Sequence, residues 1–271
     1  MRGPSRASLE SAQERLESVA RGSQADREAV ASSLFGVANL LAANPGLRRA
    51  LADPSRPADS KSGLVHQLLG RQVSASTLEV LDDMVRGAWS DPSDLTTATE
   101  RLAVLAVLIG AEQNGRFDAV EDELFRFART VAGDPGLRDA FAARTPGTAR
   151  KTELLNTLLA GKVAPETLIL ATQAATATRG RRTEQVLEEY LQEAADRRRQ
   201  LVAQVIVATD LSDRQRERLT SILGRMFNRP IRLNVDVDPG VIGGIRVEVA
   251  GELLDATVSG RLSAVQRAMV R

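Results

Sequence analysis

LFGVANLLAANPGLRRALADPSRPADSKSGLVHQLLGRQVSASTL, residues 34–78, lies without a gap over LFRFARTVAGDPGLRDAFAARTPGTARKTELLNTLLAGKVAPETL, residues 124–168, at a constant offset of 90. Leu34-Phe35 falls on Leu124-Phe125, and Pro45-Gly46-Leu47-Arg48 on Pro135-Gly136-Leu137-Arg138. Ala50, Ala52, Lys61, Leu64, Leu68, Leu69, Val73, Thr77 and Leu78 each meet their own residue type 90 positions further on. Self-similarity at a fixed offset is the mark of a duplicated supersecondary unit. The chain is read as one helical domain present twice.

The period inside each copy is helical. Val30, Leu34, Val37 and Leu41 recur at spacings of three and four, as do Val120, Leu124, Phe127 and Val131, which places an apolar stripe on one side. Both helices stop at a Pro-Gly pair, because proline pushes the residue before it, Asn44 or Asp134, out of the helical region. A short helix around Leu47 and Leu51 is expected next, then a polar loop over Asp53 to Ser60, matched by Ala143 to Arg150. The helix carrying Leu64, Leu68 and Leu69 ends at Gly70, a good cap residue, with Gly161 near the same place in the second copy. First helices are available at Leu9, Ala12, Leu16 and Val19, and at Leu102, Leu105, Leu108 and Ile109. Asp91-Pro92-Ser93-Asp94 punctuates between the copies. The helix over 182–199 is dense in charge with a narrow stripe of Val186, Leu187, Tyr190 and Leu191, the pattern of a helix that bridges through solvent.

After Arg199 the period shortens from 3.6 to 2. Leu201 to Val207 suits a buried strand, Ser212 with Gln215 three residues on forms a capping box, and Leu219, Ile222, Leu223, Met226 and Phe227 follow at helical spacing. Ile231, Leu233, Val235 and Val237 alternate as a strand, Asp238-Pro239-Gly240 turns the chain, and Ile245, Val247 and Val249 alternate again. Val258, Leu262, Val265 and Met269 mark a last helix. The fold class is mostly α with a small α+β C-terminal domain: a helical bundle over 1–94, its copy over 95–198, and a strand-helix-strand-strand-helix domain over 199–271.

Composition removes most chemistries. With 36 basic and 35 acidic residues in 271, no strong field gathers phosphates or anionic lipid. The absence of cysteine removes disulfides, thiolate nucleophiles and most structural zinc sites. A single histidine, His66, cannot make a two-histidine metal site and would serve any triad alone. It sits among Leu64, Val65, Leu68 and Leu69, and its repeat equivalent is Asn156, so it reads as a partly buried structural histidine. Three lysines stand against 33 arginines, a bias read as genomic rather than functional. Met1-Arg2-Gly3-Pro4 is not followed by the apolar stretch of a signal peptide. The longest apolar run, Leu102 to Ile109, falls short of the ~20 residues a span requires, so no direct membrane span is expected.

No phosphate-binding glycine loop, zinc-protease helix or nucleophile elbow occurs. Asp82-Asp83 and Glu188-Glu189 are adjacent in sequence, do not share a helical face, and are read as solvated, as is Arg197-Arg198-Arg199. Gly240-Val241-Ile242-Gly243 has the form of a backbone-clamping loop, but it lies between strands without a basic residue. Trp89 and Tyr190 are too few for a stacking platform. The residues alone thus support neither an enzyme, a cofactor or metal site, nor a nucleic-acid binder. They support a multidomain helical adaptor that takes up amphipathic partner helices by shape.

The C-terminal segment goes further. Ile231-Arg232-Leu233, then Val237-Asp238-Pro239-Gly240-Val241-Ile242-Gly243-Gly244-Ile245-Arg246-Val247-Glu248-Val249, then Leu254-Asp255-Ala256-Thr257-Val258-Ser259-Gly260-Arg261-Leu262 resembles the delta subunit of F-type ATP synthase, the bacterial counterpart of the mitochondrial oligomycin-sensitivity-conferring protein. Ala250-Gly251 and Thr257 are mild departures from that pattern; a larger one is length, since the family ordinarily has one helical domain before the tail. The resemblance implies a non-catalytic part of the peripheral stalk, at the cytoplasmic side of the cell membrane. Its helical bundle would take up the N-terminal helix of an alpha subunit, and its C-terminal domain would hold the C-terminal region of the b subunit. It also implies an architectural role for Asp238, Gly243, Gly244, Asp255, Arg261 and Leu262. Without the resemblance, the reading remains a free helical adaptor.

Overall fold

The computed structural model describes residues 1, 3–20, 24–143, 147–200, 202–227, 231–238, 244–249 and 252–255. The chain divides into two compact units, Met1–Ala194 and Ala195–Arg271.

The first unit is helical: α1 (Gly3–Val19), α2 (Gln24–Ala43), α3 (Pro45–Ala52), α4 (Ala58–Leu69), α5 (Ala75–Arg86), α6 (Pro92–Gln113), α7 (Phe117–Gly133), α8 (Pro135–Ala142), α9 (Thr148–Leu159), α10 (Pro165–Thr176) and the start of α11 (Thr183–Gln200). The offset of 90 carries α2 onto α7, α3 onto α8, α4 onto α9 and α5 onto α10. It also carries α1 onto α6 and α6 onto α11, so α6 both closes the first copy and opens the second. That double duty explains its sequence. Leu95, Ala98, Leu102, Ala103, Val104, Leu105, Ala106, Val107, Leu108 and Ile109 are all buried, around its whole circumference, as a helix with neighbours on every side must be. α2 lies along it in the most extensive helix contact of the unit, and α1, α3, α7 and α10 touch it as well. The two copies therefore share one continuous core; residue 94, the sequence-derived boundary, falls in the first turn of α6.

Local signals set the helix ends. Asp91 accepts from the Ser93 N–H at 2.7 Å and proline follows it at the first helical position of α6, a favoured N-terminal arrangement. Asp134 caps α8 by accepting from the Leu137 N–H at 3.0 Å. Its equivalent, Asn44, instead donates from Nδ2 to the Leu40 carbonyl at 2.8 Å and closes the end of α2. The chain bends by 107° between α2 and α3 there. The polar loops are shorter than the sequence suggests, since α4 already begins at Ala58 and α9 at Thr148. Gly70 caps α4 without a left-handed φ; a Cβ there would lie 2.5 Å from the His66 carbonyl oxygen. Gly161 adopts φ +73°, where glycine is favoured. No single helix among the described residues is long and apolar enough to cross a membrane; α2 with α3 would pass by composition, but Leu34, Leu41 and Leu51 are buried in the core.

The second unit holds β1 (Val202–Val207), α12 (Asp213–Met226), β2 (Arg232–Val237), β3 (Ile245–Val249) and β4 (Glu252–Asp255) in one sheet of order β2-β1-β3-β4. β1 pairs parallel with β2 and antiparallel with β3, and β3 pairs antiparallel with β4. Ala203, Val205, Val207, Val247 and Val249 pack with Leu223 of α12 and Ile231, while Gln204, Asn234, Asp236, Arg246 and Glu248 are exposed, the alternation of a sheet covered on one face. The Gln215 side chain accepts from the Ser212 N–H at 2.9 Å at the start of α12. The expected last helix, Val258 to Met269, lies outside the described residues.

Candidate functional site

Three of the six architectural positions lie among the described residues, and their backbones gather at one end of β1. The Asp238 N–H donates to the Val207 carbonyl at 2.9 Å, continuing the β1–β2 ladder by one step. Gly244 stands immediately before Ile245, which pairs with Val207 from the other side, and holds φ +108°. A side chain there would strain the backbone. Asp255, the last residue of β4, is in register with Arg246, which pairs in turn with Ile206. Gly243, Arg261 and Leu262 lie outside the described residues, as does the loop of Gly240-Val241-Ile242-Gly243. Among the described residues, no group of three or more His, Asp or Glu stands close enough to hold a metal ion.

Polar locks join the helices of the first unit. Glu166, at the start of α10, accepts Arg116 Nε at 3.1 Å, Arg116 Nη2 at 2.6 Å and Asn114 Nδ2 at 3.0 Å, which ties the α6–α7 turn to α10. Burial works to raise the Glu166 carboxyl, but the hydrogen bonds from Arg116 and Asn114 outweigh it and hold the group below the usual carboxylate range. Glu100 of α6 accepts Arg181 Nη2 at 2.8 and 3.0 Å and the Tyr190 hydroxyl at 2.8 Å, and also pairs with Arg179. Burial first, and then the Glu100 charge, push the Tyr190 phenol well above 10.0. Arg179 holds φ +50° and Gly180 φ +85°, a tight turn that brings both arginines onto one carboxylate.

The repeat is chemical as well as geometric. Lys61 Nζ donates to the Gly87 carbonyl at 3.4 Å. Lys151, its equivalent, donates to the Ala175 carbonyl at 3.3 Å and to the Phe141 carbonyl. Each sets an ammonium against the end of its copy's fifth helix, where unsatisfied carbonyls and the helix dipole favour a cation. Burial lowers both ammonium pKa values. Two of the chain's three lysines thus do one job twice.

Several residues depart from the sequence reading. His66 is 51% exposed and pairs through Nε2 with Asp82 Oδ2 at 2.7 Å, because Ser62, Val65 and Leu69 form the buried stripe of α4 and His66 stands beside it. Asp82 and Asp83 are not simply solvated: Asp82 also accepts from Ser62 Oγ at 2.7 Å, and Asp83 from Ser11 Oγ at 2.9 Å. Arg197 is 2% exposed, whereas Arg199 faces solvent beside Asp196. α11 does not bridge through solvent, since Val186, Leu187, Tyr190 and Ala194 are buried in the shared core. Glu188 and Glu189 are exposed, and Glu189 pairs with Arg181. Trp89 is buried and donates to the Met84 carbonyl at 2.8 Å.

A cavity of about 620 Å³ opens beside Arg138, Phe141, Lys151, Arg181 and Glu184. Arg138, Lys151 and Arg181 are already engaged by Glu184, backbone carbonyls and Glu100, so it reads as a gap between helix ends. A second cavity of about 280 Å³ lies between α6 and α11, beside Val104 and Tyr190. A narrow apolar cleft joins Ala31 of α2, Ala106, Val107 and Gly110 of α6, and Ile169 of α10. All three are lined by residues of packed helices and the turns between them.

Residues 104–269 match the family described as the ATP synthase delta (OSCP) subunit, a span that begins inside α6 and takes in the second copy and the C-terminal unit. The chain is 47% identical over 265 residues to the ATP synthase subunit delta of Kineococcus radiotolerans, covering 98% of this chain and 96% of the relative. It is 42% identical to the subunit of that name from Streptomyces coelicolor, covering 97% and 96%, and 42% identical to that from Thermobifida fusca, covering 98% of each. These alignments run through both helical copies. The chain belongs to the ATP synthase delta (OSCP) subunit family.

Proposed function

We propose that this chain is a non-catalytic subunit of the peripheral stalk of an F-type ATP synthase, on the cytoplasmic side of the cell membrane. In this reading the helical unit takes up the N-terminal helix of an alpha subunit, and the C-terminal unit holds the C-terminal region of the b subunit. The observation that carries the reading is the family match through the second copy and the tail together, joined to relatives aligned over at least 96% of their length. The physical demand on such a part is stiffness under torque. A central helix buried on all sides and two carboxylates clamped by arginines supply it, because a close-packed interior transmits strain rather than absorbing it. Asp238, Gly244 and Asp255 would then serve by shaping the end of the sheet.

The test is extraction of native membranes in mild detergent with a tag on this chain. Alpha, beta and b subunits are expected in fixed proportion, and stripping the chain should uncouple ATP hydrolysis from proton movement. Recovery of the tagged chain alone at physiological salt would sink the reading and leave a free helical adaptor in its place.

A further inference from the structure

The first copy shows what the start of α11 lacks. At the start of α6, Asp91 Oδ1 accepts both the Ser93 N–H at 2.7 Å and the Ser93 hydroxyl at 2.5 Å. A carboxylate thus sits on the positive end of that helix and satisfies donors that have no partner within it. At the equivalent positions of the second copy, Thr183 replaces Ser93 and Arg181 replaces Asp91. The acceptor is gone, and the Arg181 side chain is drawn away to Glu100 and Glu189. Thr183 is only 4% exposed, yet among the described residues its hydroxyl has no hydrogen-bond partner. It lines the cavity of about 620 Å³ between the helix ends. Arg182, just before the helix, has no acceptor atom with which to cap it. It lines the same cavity, exposed and without an ion pair among the described residues. α9 opens there too: Gly147 gives that helix no side-chain cap and its first turn carries no acid, whereas its duplicate α4 has Asp59 in that turn. Two acids also line the wall, Asp139 and Glu184, and Glu184 faces Arg138 at 4.0 Å.

We propose that this cavity binds the phosphate group of a small molecule, held on the start of α11 where the first copy keeps the carboxylate of Asp91. The phosphate accepts from the Thr183 hydroxyl and from the free N–H groups of the first turn, and the Arg182 guanidinium closes over it. Backbone donors at a helix start, the helix dipole and a guanidinium are the recurring elements of such sites. Phosphate fits better than a carboxylate. Asp91-Pro92 of the first copy becomes Arg181-Arg182 in the second, so a negative charge is lost and an unengaged guanidinium is gained, which together match a doubly charged anion. Arg182 also brings a backbone N–H that Pro92 lacks. The volume falls within the ~300–1,000 Å³ usual for small-molecule pockets, which leaves room for inorganic phosphate or for a nucleotide carrying the group.

The experiment titrates inorganic phosphate, and separately ADP, into the purified, isotopically labelled full chain, with sodium chloride at matched ionic strength as the control. Backbone amide shifts report the site. The Thr183 amide is expected to shift saturably, with a millimolar or tighter dissociation constant, while the Ser93 amide, whose helix already holds Asp91, stays in place. Thr183→Val keeps the side-chain shape but loses the hydroxyl, and should bind phosphate about tenfold more weakly, the scale of one hydrogen bond to a charged group. Arg182→Asp supplies a capping carboxylate of its own, so it should abolish binding and raise the melting temperature. Tighter binding of ADP than of phosphate identifies a nucleotide as the source of the group, and equal or weaker binding identifies free phosphate. No shift at Thr183, equal shifts at Ser93, equal shifts from chloride, or wild-type affinity for phosphate in either variant overturns the proposal. The chain is tested alone, so neither result bears on the stalk reading.

Discussion

Glu100 of α6 and Tyr190 of α11 stand at repeat-equivalent positions 90 residues apart and share a 2.8 Å hydrogen bond inside the core. The same carboxylate receives Arg181 and Arg179, so the joint between the second copy's first and last helices is a desolvated ion cluster. Removing one member of a buried pair costs more than the pair contributes, because the remaining charges stay unpaired. Glu100→Ala is expected to destabilise the helical unit by about 3–5 kcal/mol, and Tyr190→Phe by about 1–3 kcal/mol. Urea unfolding followed by the single tryptophan, Trp89, reads both; a Glu100→Ala cost below about 1 kcal/mol would mean that water already reaches the cluster.

Lys61, buried, and Lys151, half-buried, predict a dependence on alkaline pH. Each ammonium has a folded pKa below its ordinary 10.5, so between those values the unfolded chain binds more protons and stability climbs with pH. Lys61→Met keeps the side-chain volume, loses the donor to the Gly87 carbonyl, and should cost about 1–3 kcal/mol near pH 7. The cost should widen towards pH 10.5, because the variant lacks the Lys61 share of that climb. Lys151→Met should behave alike. Urea midpoints at pH 7 to 10.5, taken as wild type minus variant so that Tyr190 cancels, check the sign; a difference that shrinks with pH would contradict it.

Much of this architecture is legible in the amino-acid order alone. The 90-residue offset, the Pro-Gly breaks at Asn44 and Asp134, and the change of period after Arg199 place the helices and strands, because each is a local signal in backbone chemistry. What the offset hides is that α6 belongs to both copies. A repeat is read as a series of separate units, whereas the burial of Leu102 to Ile109 on every side depends on α2 arriving from the first copy. Surroundings decide the polar residues for the same reason. His66 and Arg197 lie in ordinary helical patterns, and only the packing of neighbours puts one in solvent and the other inside. The exposed Phe125 is invisible in sequence, since it has the same residue type and register as the buried Phe35.

Glu166 sets an acid limit. Its folded pKa lies below the ordinary 4.5, so its contribution is fully present above that value and is lost as pH falls through the folded one. Glu166→Gln retains the shape and one acceptor but loses the charge that Arg116 clamps. The variant is expected to be less stable near neutral pH by about 1.5–3 kcal/mol, the scale of hydrogen bonds to a charged group. It should also lose less on acidification below pH 4.5 than the wild type. Parallel acid-unfolding curves by circular dichroism would show the carboxylate to be uncoupled from folding.

The shared helix makes the second copy depend on the first. A fragment of residues 91–198 keeps the Asp91 cap and every helix from α6 to α11, but it strips α2 from Ala106 and Val107 and from the rest of that side of α6. Uncovered apolar side chains lose about 25 cal/mol for each Å² returned to water, and a helix contact as long as α2 on α6 exposes several such residues. Residues 1–194 are therefore expected to unfold in one cooperative step, and the 91–198 fragment to melt at least about 10 °C lower, as a loss of a few kcal/mol implies for a chain of this size. It should also bind a hydrophobic dye and self-associate. Calorimetry and sedimentation on the two fragments decide the matter: a monomeric 91–198 fragment with the melting temperature of residues 1–194 would mean that the copies are independent domains, and that the burial of α6 adds little to either.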